Sequence, residues 1–229
     1  MKKCLPIQGS SLEITRHVIR RNRDRYDAFE LWLDYLPPEE ISQVQGVVDT
    51  ADKDYILLFR RENLAPSVLP IEARKKWIGT LQNSNILWDF DINVQEEELT
   101  FYREEKRDSS LLCSYHHYER TPTHDELKKV LGRMEAFSPD IVKFACYCHS
   151  AKDAVRLLDF LVCLRDFGQK AIVLGMGAEG LITRAFAGSF GCAYNFLPSA
   201  TEKDLPQTAA GQLTLEDFTI IEEIIKKKK

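Results

Sequence analysis

This 229-residue sequence predicts an α/β protein closed as a (β/α)8 barrel, the TIM barrel architecture, on three observations. Short apolar runs alternate with helical stretches, and no break in composition separates them; that is the pattern of a parallel sheet covered by helices. There are eight such units, which in this length suit a closed barrel near the short end of its range. No Gly-x-Gly-x-x-Gly follows the first apolar run, which argues against a doubly wound open sheet. Residues 1–229 are therefore expected to form one domain.

Each element has its own local signal. Lys3 to Ile7 reads as the first strand, and Ser10 to Arg25 as a helix with a polar start. Ala28 to Tyr35 is the second strand; Pro37, Pro38, Glu39 and Glu40 then open a helix with proline and acids in its first turn. Tyr55 to Arg60 is a strand, Pro70 to Gln82 a helix, Ile86 to Asp91 a strand and Glu96 to Glu105 a charged helix. Leu111 to His116 is the fifth strand, and the capping box Thr123 to Glu126 opens a helix reaching about Ala136. Ile141 to Cys146 forms a short apolar run after a turn signal, interrupted by Lys143. Ala151 to Asp166 is a long amphipathic helix, Ala171 to Met176 a strand and Glu179 to Ala187 a short helix. Cys192 to Phe196 is the eighth strand, and Thr214 starts a final helix whose terminal lysines suit the helix dipole. The longest loop, about residues 197–212, follows the eighth strand and is expected to cover the barrel mouth as a lid.

Composition excludes several classes. A hydrophobic content of 44% and a charged content of 29% are those of an ordinary globular protein. A net charge of -4 leaves no basic footprint for nucleic acid. The apolar runs are too short to span a membrane, and the residues after Ile7 turn polar, so no secretory leader is expected. Six scattered cysteines read mostly as small buried hydrophobes, which fits a reducing cytoplasm better than a disulfide framework. Cys146, Cys148 and His149 lack a second ligand pair at finger-like spacing, so no metal is expected.

Strand parity gathers the polar residues. Alternate side chains share a strand face, and in a barrel one face looks inward. Phe29, Leu31, Leu33 and Tyr35 suit the helix side, which turns Glu30, Trp32 and Asp34 inward. The same alternation puts Arg60 at an inward strand end, Asp89 and Asp91 opposite Trp88 and Phe90, His116 with Leu112 and Ser114, and Lys143 with Ile141 and Ala145. Each has a bland explanation: Lys143 could snorkel to water, His116 could be a satisfied structural histidine, Arg60 a strand end, Asp89 a turn former and Trp32 packing. Their coincidence on one parity is what points to catalysis, because polar residues at the carboxyl ends of several barrel strands form such sites.

The chemistry follows from the residue types. A buried lysine escapes its desolvation cost as an uncharged amine, which condenses with a ketone; the protonated imine then acidifies the adjacent C–H. A histidine nearby can take that proton and return one to a leaving hydroxyl. Arginine supplies a fork for a carboxylate. The set reads as Schiff-base elimination or aldol chemistry on a small anionic ketone, with no cofactor.

Five segments together resemble type I 3-dehydroquinate dehydratase, a (β/α)8 lyase of the shikimate pathway of aromatic amino acid biosynthesis. Ser114 to Tyr118 with Thr121-Pro122 is similar to its histidine strand, and Asp140 to Ala145 to its Schiff-base lysine strand. Leu174 to Arg184 resembles the segment ending in its carboxylate-binding arginine, Thr208 to Gln212 its Ser-Ala-Pro-Gly-Gln lid, and Phe29 to Asp34 its Glu-x-Arg-x-Asp strand. The resemblance implies that Lys143 forms the imine with 3-dehydroquinate and that His116 moves the proton in a syn elimination. It further implies that Arg184 binds the carboxylate, that Glu30 and Arg60 contact hydroxyls, that Met176 lines the pocket and that Thr208 and Gln212 close over it. Two departures stand out: Trp32 replaces the family arginine, and Glu62 follows Arg60 by two residues where the family's histidine-orienting glutamate follows by four. The implied partner is this small molecule, with neither nucleic acid nor membrane, and a homodimer is compatible. A class I aldolase on another keto acid or sugar phosphate, and a degenerate non-catalytic barrel, remain alternatives.

Overall fold

The computed structural model of the chain describes residues 1–49, 52–104, 108–202, 205 and 209–227. Its strands are β1 (Lys2–Ile7), β2 (Ala28–Trp32), β3 (Asp54–Leu58), β4 (Ile86–Asp91), β5 (Ser110–His117), β6 (Ile141–Tyr147), β7 (Ala171–Met176) and β8 (Tyr194–Phe196). Between and after them run α1 (Leu12–Asn22), α2 (Gln45–Val48), α3 (Ile71–Thr80), α4 (Glu96–Glu104), α5 (His124–Glu135), α6 (Ala151–Asp166), α7 (Leu181–Phe186) and α8 (Leu215–Lys226). The strands are parallel and hydrogen-bond in the order β7-β6-β5-β4-β3-β2-β1-β8. Across the remaining seam, between β7 and β8, Ala193 N–H donates to the Ala171 carbonyl at 2.8 Å. The result is the nearly closed (β/α)8 barrel expected from the alternation.

Helix boundaries follow their caps. Ser11 caps α1 by accepting from Ile14 N–H, Thr123 and Glu126 form the expected capping box on α5, and Thr214 caps α8. The outward strand faces make the core: Phe29, Tyr55, Trp88, Phe90 and Phe144 are buried beneath the helices. Trp88 stacks on Phe90 at 5.9 Å, and Phe144 meets Phe160 of α6 edge-on at 5.0 Å. Each such ring contributes about 1.5–3 kcal/mol by leaving water. Inside the barrel Ile56, Leu87, Leu112 and Ile141 form an apolar floor. The polar residues lie above it, toward the carboxyl ends of the strands.

The structure departs from the expected element ends in the β2 region. The strand stops at Trp32, and Leu33–Tyr35 wind into a 3-10 turn in which Leu36 N–H reaches the Leu33 carbonyl at 3.2 Å. Pro37 and Pro38 follow, and prolines cannot donate to a ladder, so the alternating pattern could not continue as a strand. Asp34 therefore leaves the expected inward face; its Oδ1 accepts from Ser67 Oγ at 2.6 Å in the β3–α3 connection. The expected helix after Pro37 is a 3-10 segment, Pro38–Val44, running into the short α2. The stretch after β7 likewise breaks into a 3-10 turn, α7 and a second 3-10 turn.

Candidate active site

The strand register carries the inward parity around the barrel. Glu30 lies opposite Ile56, Ser114 opposite Lys143, His116 opposite Ala145, and Ala145 opposite Leu174. These residues open into one cavity of about 460 Å³, its open mouth included. Glu30, Arg60, His116, Lys143, Met176, Arg184 and Gln212 all line it. Thr208 lies outside the described residues. The wall also includes Tyr118, Leu174, Phe196 and Ala209, which strand reading had not singled out. Leu174 shares the parity of Met176, and Tyr118, one residue past the end of β5, that of Ser114 and His116, so both could have been found.

Lys143 is almost fully buried, and its Nζ lies 3.1 Å from Asp89 Oδ2 and 3.3 Å from Glu30 Oε1. Its ammonium also stands 4.2 Å from the centre of the Phe196 ring. Burial pulls its pKa down, but Asp89 and then Glu30 outweigh burial and hold it above its ordinary value. The resting lysine is thus a charged ammonium, which corrects the expectation of an uncharged amine. Asp89 is fully buried and accepts from Arg60 at 2.9 and 3.2 Å and from Ser114 Oγ at 2.5 Å. Burial opposes the Asp89 charge, yet Arg60 and Lys143 hold its carboxyl well below the usual range. Arg60 is raised in turn by Asp89, against its own burial.

The carboxylate that fixes His116 is Asp91, not Glu62, the glutamate that follows Arg60. Asp91 Oδ2 lies 2.8 Å from His116 Nδ1 and accepts the His116 backbone N–H at 3.1 Å. A carboxylate at Nδ1 selects the tautomer protonated there and leaves Nε2 as the basic nitrogen. Burial, followed by the Arg60 charge, pulls the imidazole below its ordinary pKa, so it is neutral at neutral pH. Tyr118 stacks on the ring at 6.2 Å. Glu62 is exposed at the outer mouth and does not take the orienting role. Trp32, noted above as a departure, donates its indole N–H to Glu30 Oε2 at 2.8 Å.

Arg184 reaches the cavity from α7. Gly175 and Gly180 touch so closely that a side chain on either would strike the other's backbone at about 2.5–2.6 Å. Thr183 Oγ1 clamps this contact, accepting from Gly175 N–H and donating to the Gly180 carbonyl, both at 2.7 Å. Arg184 Nε donates to the Gly175 carbonyl at 3.0 Å. Among the described residues no carboxylate pairs with this guanidinium, and burial pushes its pKa down to about 10. A buried cation without an anion is a ready receptor for one. Gln212 is held beside it as Gly211, at φ +76°, docks on Gly177, whose N–H donates to the Ala210 carbonyl at 3.2 Å.

A lysine, a neutral histidine and an uncompensated arginine thus share one barrel mouth. The family model for type I 3-dehydroquinase matches residues 3–229. The chain belongs to the type I 3-dehydroquinase family. The 3-dehydroquinate dehydratases of Methanococcus maripaludis strains C7 and C6 are 34% and 33% identical to it over 140 residues. That stretch is 59% of this chain and 59% and 61% of those proteins, so the chain spans about three fifths of the curated relatives it matches. The 3-dehydroquinate dehydratase structure from Geobacillus kaustophilus is similar at a TM-score of 0.82 and 21% identity, over 99% of this chain and 91% of that one. An S. pombe dehydroquinate dehydratase and shikimate dehydrogenase aligns at 0.78 and 16%, over 98% of this chain and 44% of its own. The family's (β/α)8 fold is therefore shared from end to end.

Proposed function

We propose that this chain is a hydro-lyase that dehydrates 3-dehydroquinate to 3-dehydroshikimate through an imine on Lys143. The observation that carries this reading is the buried Arg184 guanidinium, unpaired by any described carboxylate, in the same cavity as Lys143 and His116. Arg184 takes the substrate carboxylate, and Arg60 and Glu30 meet the ring hydroxyls. Lys143 attacks the ketone, water leaves, and the iminium withdraws electrons from the adjacent carbon. His116 Nε2 removes the proton there and hands it to the departing hydroxyl, so one group serves as base and then acid. Hydrolysis of the product imine restores the amine. No cofactor is needed, because the iminium is the electron sink.

Residues 197–212 act as the lid of a single barrel domain, with Thr208 and Gln212 closing over the substrate and Met176 forming the wall. The free state of all six cysteines supports a cytoplasmic setting, and no helix among the described residues is long and apolar enough to cross a membrane. Borohydride reduction in the presence of 3-dehydroquinate tests the proposal. Mass spectrometry is expected to find the reduced adduct on Lys143, and Lys143→Ala to abolish both adduct and turnover. An active protein with Lys143 unmodified would overturn the imine.

A further inference from the structure

An ammonium has no lone pair, so a resting charged Lys143 cannot attack a ketone until its proton leaves. Two carboxylates touch it, and they differ in three ways. Asp89 already accepts two N–H groups from Arg60 and a hydroxyl from Ser114, whereas among the described residues Glu30 accepts, besides the lysine, only the neutral indole N–H of Trp32. A cation bound to a carboxylate lowers its proton affinity far more than a neutral donor does. Glu30 also lines the cavity, while Asp89 is sealed beneath it at 0% exposure. A proton on Glu30 can be passed to a bound molecule; one on Asp89 cannot.

We propose that Glu30 is the base that uncharges Lys143 and the acid that completes imine formation, with Trp32 as the positioning residue that leaves it able to do so. This rests on the imine reading above. The lysine N–H bond breaks as the Glu30 O–H bond forms, leaving a neutral amine and a neutral acid. The amine lone pair forms the C–N bond, and the carbonyl oxygen takes a proton from that nitrogen to give the carbinolamine. Glu30 then returns its proton to the carbinolamine hydroxyl, which leaves as water as C=N forms. Glu30 ends as the carboxylate and the nitrogen as the iminium, so charge in the pair is unchanged. Trp32 holds Glu30 Oε2, which keeps Oε1 turned to the lysine, and it does so without the positive charge of an arginine at this position.

The experiment separates this from a purely electrostatic role, because removing a neighbouring anion lowers a lysine pKa and by itself speeds imine formation. Imine formation is followed by quenching mixtures of protein and 3-dehydroquinate with borohydride at successive times and weighing the protein, across pH. Glu30→Gln is expected to slow adduct formation about 10²-fold at neutral pH, with recovery as pH rises and solution base takes over. Trp32→Phe, which keeps the ring and loses the N–H, is expected to slow the same step by a smaller factor with little change in KM. His116→Ala is expected to leave adduct formation intact while product, followed by enone absorbance, is lost. Adduct forming in Glu30→Gln as fast as in the parent, or faster, overturns the role of Glu30. Should that variant not fold, an unchanged adduct rate in Trp32→Phe overturns the proposal on its own. Absence of adduct in the parent removes the imine reading itself, and this proposal with it.

Discussion

Lys143 shows why a single residue's chemistry can be misread from its own strand. Its apolar neighbours predict an uncharged amine, yet its charge is decided by Glu30 and Asp89, 113 and 54 positions away in sequence. His116 makes the same point: its strand and face were legible, but its partner, Asp91 on β4, was not read from the sequence. Burial and Arg60 hold the His116 pKa below its ordinary 6.5. With neutral His116 as the proposed base, kcat/KM is expected to fall only as pH drops through that lowered value. Asp91 raises the pKa, so Asp91→Asn should move this acid limb still lower and cost about 10²-fold in kcat. Glu62→Gln should change kcat by less than about twofold, as for an exposed side chain without a proton to move. Steady-state profiles of the three proteins check this.

Elements were legible where periodicity and caps agreed, and not where the chain turned out of its period. The strands β4 and β7 and the helix α6 run between the expected residues, because an unbroken apolar pattern is bounded by turn and cap signals on both sides. The second strand read three residues too long: Leu33 and Tyr35 keep the alternation, but the backbone has already turned ahead of Pro37 and Pro38. The turn at Gly211 is what the sequence describes least, since it is placed by a close contact with Gly177. A Cβ on Gly211 would stand 2.5 Å from the Gly177 carbonyl oxygen, at a φ of +76° that favours glycine. Gly211→Ala should therefore lift Gln212 from the mouth. We expect KM to rise about tenfold at a stability cost of about 1 kcal/mol, read by kinetics and denaturant melts of the same variant.

At the scale of the molecule, alternating apolar runs told the whole architecture, because eight parallel strands buried on both faces leave few other ways to cover their edges. The same closure stacks an ionic layer on an apolar floor, and that layer has a stability consequence. The Arg60–Asp89 pair is at most 3% exposed on either side chain. Asp89→Asn leaves the guanidinium without its counterion and is expected to destabilise the fold by about 3–5 kcal/mol. The Asp89 pKa is depressed in the folded state, so its contribution is present above the ordinary carboxylate value of 3.8 and is lost as pH falls below it. Urea melts at neutral and acidic pH should show the deficit of the variant at neutral pH shrinking as acid is added.

The ionic layer also bears on which molecules the barrel admits. Glu30 and Asp89 are matched by Lys143 and Arg60, Asp91 is held by His116, and Arg184 has no carboxylate partner among the described residues. The unpaired guanidinium is the one positive charge left to answer a single negative one. On the proposed reading a phosphorylated sugar would bring two negative charges to that one guanidinium and a monoanionic keto acid only one, so the keto acid is the better match.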